Sequence, residues 1–299
     1  MKEVGPSDTS LFGWPAAVGE AAEGLIEVIG VPSDVGNSIA SGARFGPEAI
    51  RRASFNLRPG AFGIDHGNIG DGYICDLEQV LEQVDNFASA VIQRKSSLIM
   101  LGGDHSISYA AIAAAARECC PLNIVWFDAH TDFCPWPNQR WHSHSQVLRR
   151  IANLSNVGRI VQIGHRGMTY FDEVERFDRL KVVRSSQAQM SCIDAVLEQL
   201  PSDEPIYISI DIDVVDPSFA PGTGHPVPGG LSIMDVSALA QAIGSARNVV
   251  GIDIVEVNPL LDLRNITSAA AATIISNIVP ILKPAGVPFN VPATATALN

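Results

Sequence analysis

Several things are scarce in this chain, and each shortage narrows what it does. Only five of its 299 residues are cysteine (Cys75, Cys119, Cys120, Cys134 and Cys192), an odd number with no C-x-x-C pair. That speaks against a disulfide framework and fits packing thiols in a reducing cytoplasm. Positive charge is also short: 20 Lys and Arg stand against 32 Asp and Glu, a formal net charge of −12. The chain therefore offers neither counterion release on nucleic acid nor a polybasic grip on anionic lipid, and we expect no nucleic-acid or membrane partner. Metals and cationic substrates suit such a chain better. Long hydrophobic runs are missing as well. The most apolar late stretch, Ser268–Leu282, falls short of the roughly 20 residues of a membrane span and is broken by Asn277 and Pro280. Residues 1–24 show no basic segment leading into an apolar one, so no secretory signal is expected.

What is present reads as an ordered α/β protein. Hydrophobic residues make up 46% of the chain, enough for one large domain spanning residues 1–299, with arms or loops expected at about 1–24 and 284–299. Leu25–Val31, Ser97–Leu101, Leu122–Phe127, Arg159–Gly164, Pro205–Ile210 and Val249–Val255 are apolar runs of strand length. Near-continuous runs of this kind suit parallel strands buried on both faces. Helical candidates alternate with them: Pro47–Leu57, Asp76–Lys95, Ser106–Glu118, His144–Ile151, Cys192–Leu200, Ile233–Ala246 and Ser268–Leu282. The alternation predicts three layers, a mostly parallel sheet between helices.

In open α/β sheets, ligands collect beyond the carboxyl ends of the strands. Five of the runs deliver acids or histidines there: Asp104 and His105 after Leu101, Asp128, His130 and Asp132 after Phe127, His165 after Gly164, Asp211 and Asp213 after Ile210, and Glu256 after Val255. In Asp128-Ala129-His130-Thr131-Asp132, extended backbone points alternate side chains the same way, so two carboxylates and an imidazole face one site. Asp211-Ile212-Asp213 repeats the device, and the turn Gly102-Gly103-Asp104-His105-Ser106 adds an imidazole.

Four clustered carboxylates repel one another and raise each other's pKa steeply. Two divalent cations would balance them. Oxygen and imidazole donors without thiolate suit manganese first, with nickel, cobalt, zinc or iron tolerated. Such a pair can share a water, lower its pKa and turn it on a carbon centre.

Gly-Gly-Asp-His-Ser, Asp-Ala-His-Thr-Asp and Ser209-x-Asp-x-Asp-x-x-Asp216-Pro217, in this order, resemble the signature segments of the arginase/agmatinase (ureohydrolase) family. The likeness runs from Gly30-Val31-Pro32 through Gly42-Ala43-Arg44-Phe45-Gly46-Pro47 to Asp253-Ile254-Val255-Glu256-Val257-Asn258-Pro259. It implies an eight-stranded parallel sheet, two divalent metal ions per chain and a homo-oligomer, trimer or hexamer. It also implies hydrolysis of a small guanidino substrate to urea and an amine. One ion would be held by His105, Asp128, Asp132 and Asp211, the other by His130, Asp128, Asp211 and Asp213. Glu256 matches the family's substrate carboxylate. His144 matches its proton-shuttling histidine, with His142 as the runner-up. A formimino- or amide-cleaving relative and a silent partner subunit are the competing readings.

Four departures from the family pattern bear on the substrate. Cys134 stands where arginases carry an Asn for the substrate α-carboxylate, which argues against arginine. Ala40 replaces an Arg common in agmatinases, His225 a common Thr, and His165 a branched apolar residue. His165, His225, Trp136, Trp141 and His142 are therefore candidate linings of an altered pocket. Agmatine, 4-guanidinobutyrate or a small guanidine without a long charged tail is the expected substrate.

Overall fold

The computed structural model describes residues 9–17, 23–37, 40–70, 76–135, 143–167, 174, 177–188 and 190–282. Eight strands form one sheet: β1 (Ile26–Gly30), β2 (Ile64–Asn68), β3 (Ser97–Leu101), β4 (Leu122–Phe127), β5 (Val157–His165), β6 (Leu180–Arg184), β7 (Ile206–Asp211) and β8 (Val249–Val255). Their order is β2-β1-β3-β8-β7-β4-β5-β6, and every neighbouring pair is parallel.

Among the described residues, the helices used below are α1 (Gly46–Ser54), α2 (Leu77–Gln93), α3 (Ser108–Glu118), α4 (Val147–Ala152), α5 (Ile193–Leu197), α6 (Ile233–Ala246) and α7 (Ile266–Ile278). Local chemistry starts several of them. Asp76 caps α2 by accepting from the Glu78 N–H, and Ser232 and Asp235 form a reciprocal box at the head of α6. Alternation along the strands then sorts the core into two layers. Ile99, Leu101, Val125, Phe127, Ile208 and Ile252 pack with the apolar faces of α1, α6 and α7. Leu98, Met100, Ile124, Trp126 and Tyr207 pack with α2, α3 and α4 on the other face. This is the three-layer architecture expected from the alternation.

Two strands escaped the sequence pattern, and both are edges. In β2, Ile-Asp-His-Gly-Asn carries one apolar side chain, and its buried Asp65 is satisfied by Arg51 rather than by apolar burial. In β6, Lys181 and Arg184 are exposed while the rest is half-buried. An edge strand pairs on one side only, so its hydrophobic run is short or diluted with charge.

Leu11–Gly13 form one short turn, in which Leu11 and Phe12 are buried; Trp14 is buried as well, and the Leu11 N–H donates to Asp65 Oδ2 at 2.7 Å. Residues 284–299 lie outside the described set. No helix among the described residues is long and apolar enough to cross a membrane, and Cys119, Cys120 and Cys134 carry free thiols. The chain leaves β3 for β4 across the positions of β8 and β7. The chain then runs back from β6 to β7 and β8, so the two directions of winding meet at the carboxyl ends of β3, β8, β7 and β4, the crevice where such sheets bind ligands.

Candidate metal centre

Each motif sits at that crevice because its strand ends there. His105 opens a short turn after β3, held by Asp104, whose side chain accepts from Ser106 N–H and from Gly36 N–H at 2.9 Å each. Asp128 follows β4, with His130 and Asp132 on the loop beyond. Asp211 is the last residue of β7; it accepts from the Asp213 N–H at 2.8 Å and so tightens the turn that carries Asp213. Glu256 directly follows β8. Asp132 and Glu256 both have positive φ (48° and 62°), a sparsely populated conformation for such residues that the site holds in place.

The two imidazoles divide the carboxylates between them. His105 Nδ1 lies 3.4 Å from Asp128 Oδ2, 3.4 Å from Asp132 Oδ2 and 3.2 Å from Asp211 Oδ2. His130 Nδ1 lies 2.9 Å from Asp213 Oδ2 and 3.6 Å from Asp128 Oδ1. Two potential cation-holding groups result, His105/Asp128/Asp132 and Asp128/His130/Asp213, and Asp128 belongs to both. The fit to a metal can be tested on His105. Its Nδ1 is buried and makes no hydrogen bond although three carboxylate oxygens ring it. Donor atoms that each sit roughly 2.1 Å from one ion stand about 3–3.5 Å apart, which matches these separations. The donors fit a divalent ion.

Electrostatics points the same way. Burial, with repulsion from Asp213 and Asp128, lifts the Asp211 carboxyl well above its ordinary range. Burial and Asp128 push Asp132 up to about 6, and Asp213 is raised for the same two reasons. Asp128 alone goes down: burial opposes its charge, but His105 and His130 outweigh burial. His130 is pushed up to about 12, burial notwithstanding, by Asp213 and Asp128. Without metal, four carboxylates and two imidazoles balance one another by retaining protons. A divalent cation would replace those protons.

The neighbouring residues form a second constellation. Glu256 Oε1 accepts from the His105 N–H at 2.9 Å and pairs with His144 Nδ1 at 3.1 Å. Burial opposes the charge of His144, yet this pairing raises its pKa to about 9. His225 has its ring centroid 5.2 Å from that of His144 and 6.0 Å from that of His130, so it faces the site. His165, the last residue of β5, is buried with its ring against the Ala129 main chain. Trp136, Trp141 and His142 lie outside the described residues.

Sequence reasoning missed two contacts. Asn37 Nδ2 donates to Glu256 Oε2 at 3.4 Å from the loop after β1, and no local pattern marks it. The Trp126 indole donates to Asp128 Oδ2 at 2.9 Å and stacks on His105 at 4.0 Å. Trp126 stands two residues before Asp128 in a strand, so the period-2 rule that grouped the acids already put it on their face.

The chain is similar to known proteins over most of its length. The arginase family profile matches residues 25–280. The proclavaminate amidinohydrolase of Streptomyces clavuligerus is 36% identical over 269 residues, which is 83% of this chain and 85% of its own. The agmatinase of Blochmanniella floridana is 35% identical over 268 residues, covering 83% and 84%. The solved structure of proclavaminate amidinohydrolase from S. clavuligerus has a TM-score of 0.84 at 31% identity, covering 92% of this chain and 97% of that one. With the profile spanning nearly the whole described sheet and its crevice, the chain belongs to the arginase family.

Proposed function

We propose that the chain is a metal-dependent amidinohydrolase that cleaves a guanidino compound into urea and an amine. The observation that carries this reading is the unbonded His105 Nδ1 facing three carboxylates, beside a second imidazole–carboxylate group that shares Asp128. His105, Asp128, Asp132 and Asp211 would hold one ion, and His130, Asp128, Asp211 and Asp213 the other. Manganese is our first choice and nickel the alternative, from the mixed oxygen and imidazole donor set. When bound, the ions supply charge that offsets the carboxylates and acidity that prepares a shared water for attack.

The chain's own residues do the rest. Glu256 is buried, and its charge is favoured, against burial, by His144 and the His105 N–H. A carboxylate held this way grips a guanidinium through charge-assisted N–H···O bonds and turns its central carbon toward the ligand cluster. His144, protonated while it faces Glu256, is the group placed to protonate the departing amine. An arriving guanidinium competes for the same carboxylate and lowers the His144 pKa toward neutrality, where proton transfer is most effective.

Two observations support a short substrate. Cys134 is buried, and its N–H, which ties the Asp132 loop to the turn before α4 by donating to Ser145 O at 3.0 Å, is not open to an α-carboxylate. His225 brings a ring over the region between His144 and His130 where a long tail would pass. A homo-oligomer, trimer or hexamer, accords with exposed Leu260, Leu261 and Leu263. Urea release from arginine, agmatine, 4-guanidinobutyrate and small alkylguanidines, with Mn and Ni reconstituted separately, tests the proposal. We expect turnover of one of the shorter guanidines. Arginine as the sole good substrate would overturn the pocket reading, and no urea from any of them with either metal would overturn the activity.

A further inference from the structure

The two oxygens of Glu256 are held from different parts of the chain. Oε1 accepts from the His105 N–H at 2.9 Å and pairs with His144 Nδ1 at 3.1 Å. Oε2 has one donor among the described residues, Asn37 Nδ2 at 3.4 Å, which comes from the loop after β1. Glu256 is buried, so the side chains around it rather than water decide where Oε2 points.

The loop that carries Asn37 is fastened to every piece of chain around Glu256. Asp34 Oδ2 accepts from the Gly42 N–H at 2.7 Å and from Arg44 Nε at 2.9 Å, which closes the loop on itself. The Gly36 N–H donates to Asp104 Oδ2 at 2.9 Å, in the turn after β3, and the Gly36 carbonyl accepts from the His144 N–H at 3.2 Å. Asn258, two residues beyond Glu256, donates from Nδ2 to Ser41 O at 3.1 Å. Gly224 packs beside the same loop: a Cβ there would lie 3.6 Å from Asn37 Nδ2 and 3.7 Å from the Ala40 Cβ. The segment that bears His225 therefore borders Asn37 as well.

The orientation of the Asn37 amide follows from its partners. Oδ1 accepts from the Ala40 N–H at 3.1 Å, so Nδ2 is the atom that faces the carboxylate. Turned over, the amide would set oxygen against carboxylate and nitrogen against N–H. The bond of 3.4 Å is long for N–H···O, and Oε2 keeps a lone pair for a further donor. The donor is also uncharged. A lysine or arginine at this place would neutralise Glu256 and compete with a cationic substrate, whereas an amide directs the carboxylate and leaves its charge in place.

We infer that Asn37 is a positioning residue for Glu256: its amide fixes Oε2 so that the carboxylate meets the guanidinium in one orientation. The inference rests on the amidinohydrolase reading above, in which Glu256 takes the guanidinium. It gives a role to a residue of the β1 loop that lies outside the ligand cluster.

Steady-state urea release from agmatine, 4-guanidinobutyrate and methylguanidine tests it, on full-length protein loaded with Mn or Ni. Metal content and thermal unfolding are measured on the same preparations. For Asn37→Ala, we expect KM to rise about tenfold with kcat within about threefold of wild type and metal content unchanged, the mark of a lost hydrogen bond in substrate binding. Asn37→Asp separates this role from a structural one. It keeps an acceptor for the Ala40 N–H, and so the turn, but sets an oxygen where Nδ2 met Glu256; KM should rise at least as far. If Asn37→Ala does not fold, the nearly isosteric aspartate variant carries the test. A KM at or below the wild-type value in a folded variant, or a loss confined to kcat or to metal content, would overturn the role of Asn37 alone. No urea from any of the three with wild-type protein would overturn the amidinohydrolase reading and take this inference with it.

Discussion

Asp65 and Asp128 are both buried aspartates of the same parallel sheet, one at its edge and one at its centre, and their surroundings differ in kind. Asp65 receives a two-pronged guanidinium, Arg51 Nε to Oδ2 and Arg51 Nη2 to Oδ1 at 2.8 Å each. The Leu11 and Gly67 N–H groups complete its shell at 2.7 and 2.9 Å. That carboxylate is fully compensated by fixed protein groups. Asp128 receives the Trp126 indole and the His130 N–H, but it shares two imidazoles with Asp132, Asp211 and Asp213. Where the protein needs only to fasten β2 to α1, it brings its own cation. At the crevice it leaves the acids in excess, balanced by protons that can exchange for something else. That contrast separates a structural ion pair from a binding site.

Substitutions at the two places should therefore fail in different ways. The largest effect is expected from Asp128→Asn: loss of bound metal and a fall in urea release of more than about a thousandfold, a barrier rise of about 4 kcal/mol, with the metal-free fold retained. Metal analysis and a rate assay on the same preparation check it. Arg51→Met should do the opposite. Removing one partner of a buried pair strands the other, so it should lower stability by about 3–5 kcal/mol in urea unfolding while the folded fraction still takes up metal.

Metal removal comes next. Ions present at about tenfold above their Kd should contribute about 1.4 kcal/mol each to stability, and chelation should remove it. The effect should depend on pH with a defined sign. Asp132 and Asp211 hold protons more tightly in the fold than in the unfolded chain. In metal-free protein their stabilising contribution is complete below the unfolded pKa of 3.8; it is lost as pH rises through about 6 for Asp132 and higher for Asp211. Metal binding displaces those protons and strengthens over the same range. The gap in Tm between metal-loaded and metal-free protein should therefore widen from pH 5 to pH 8; a gap that narrows would contradict the assignment. The smallest effect is expected from Trp126→Phe, which keeps the stacking on His105 but leaves Asp128 one donor short. A loss of about tenfold in metal affinity, roughly 1.4 kcal/mol, is expected by titration.

Much of this was legible in the sequence because the central strands obey simple rules. A run such as Leu122–Phe127 is apolar on both faces, and the acids of Asp128-Ala129-His130-Thr131-Asp132 begin where it stops. Strand end, site and alternation could be read together. The edge strands were illegible for the reason that makes them edges: β2 carries Asp65, His66 and Asn68 because its needs are met by Arg51 and Glu27 rather than by a second neighbour strand. Contacts made from afar were missed as well. Asn37 reaches Glu256 across 219 positions of sequence, and Asp253 meets His105 only through the Ser209 hydroxyl. Such pairings exist only once the register of β7 on β8 is set.

A crystal grown in manganese and measured at an anomalous wavelength tests the central claim most directly. The account predicts two anomalous peaks roughly 3.5–4 Å apart, both in contact with Asp128 and Asp211. A single peak, or none with the carboxylates turned away from one another, would contradict it.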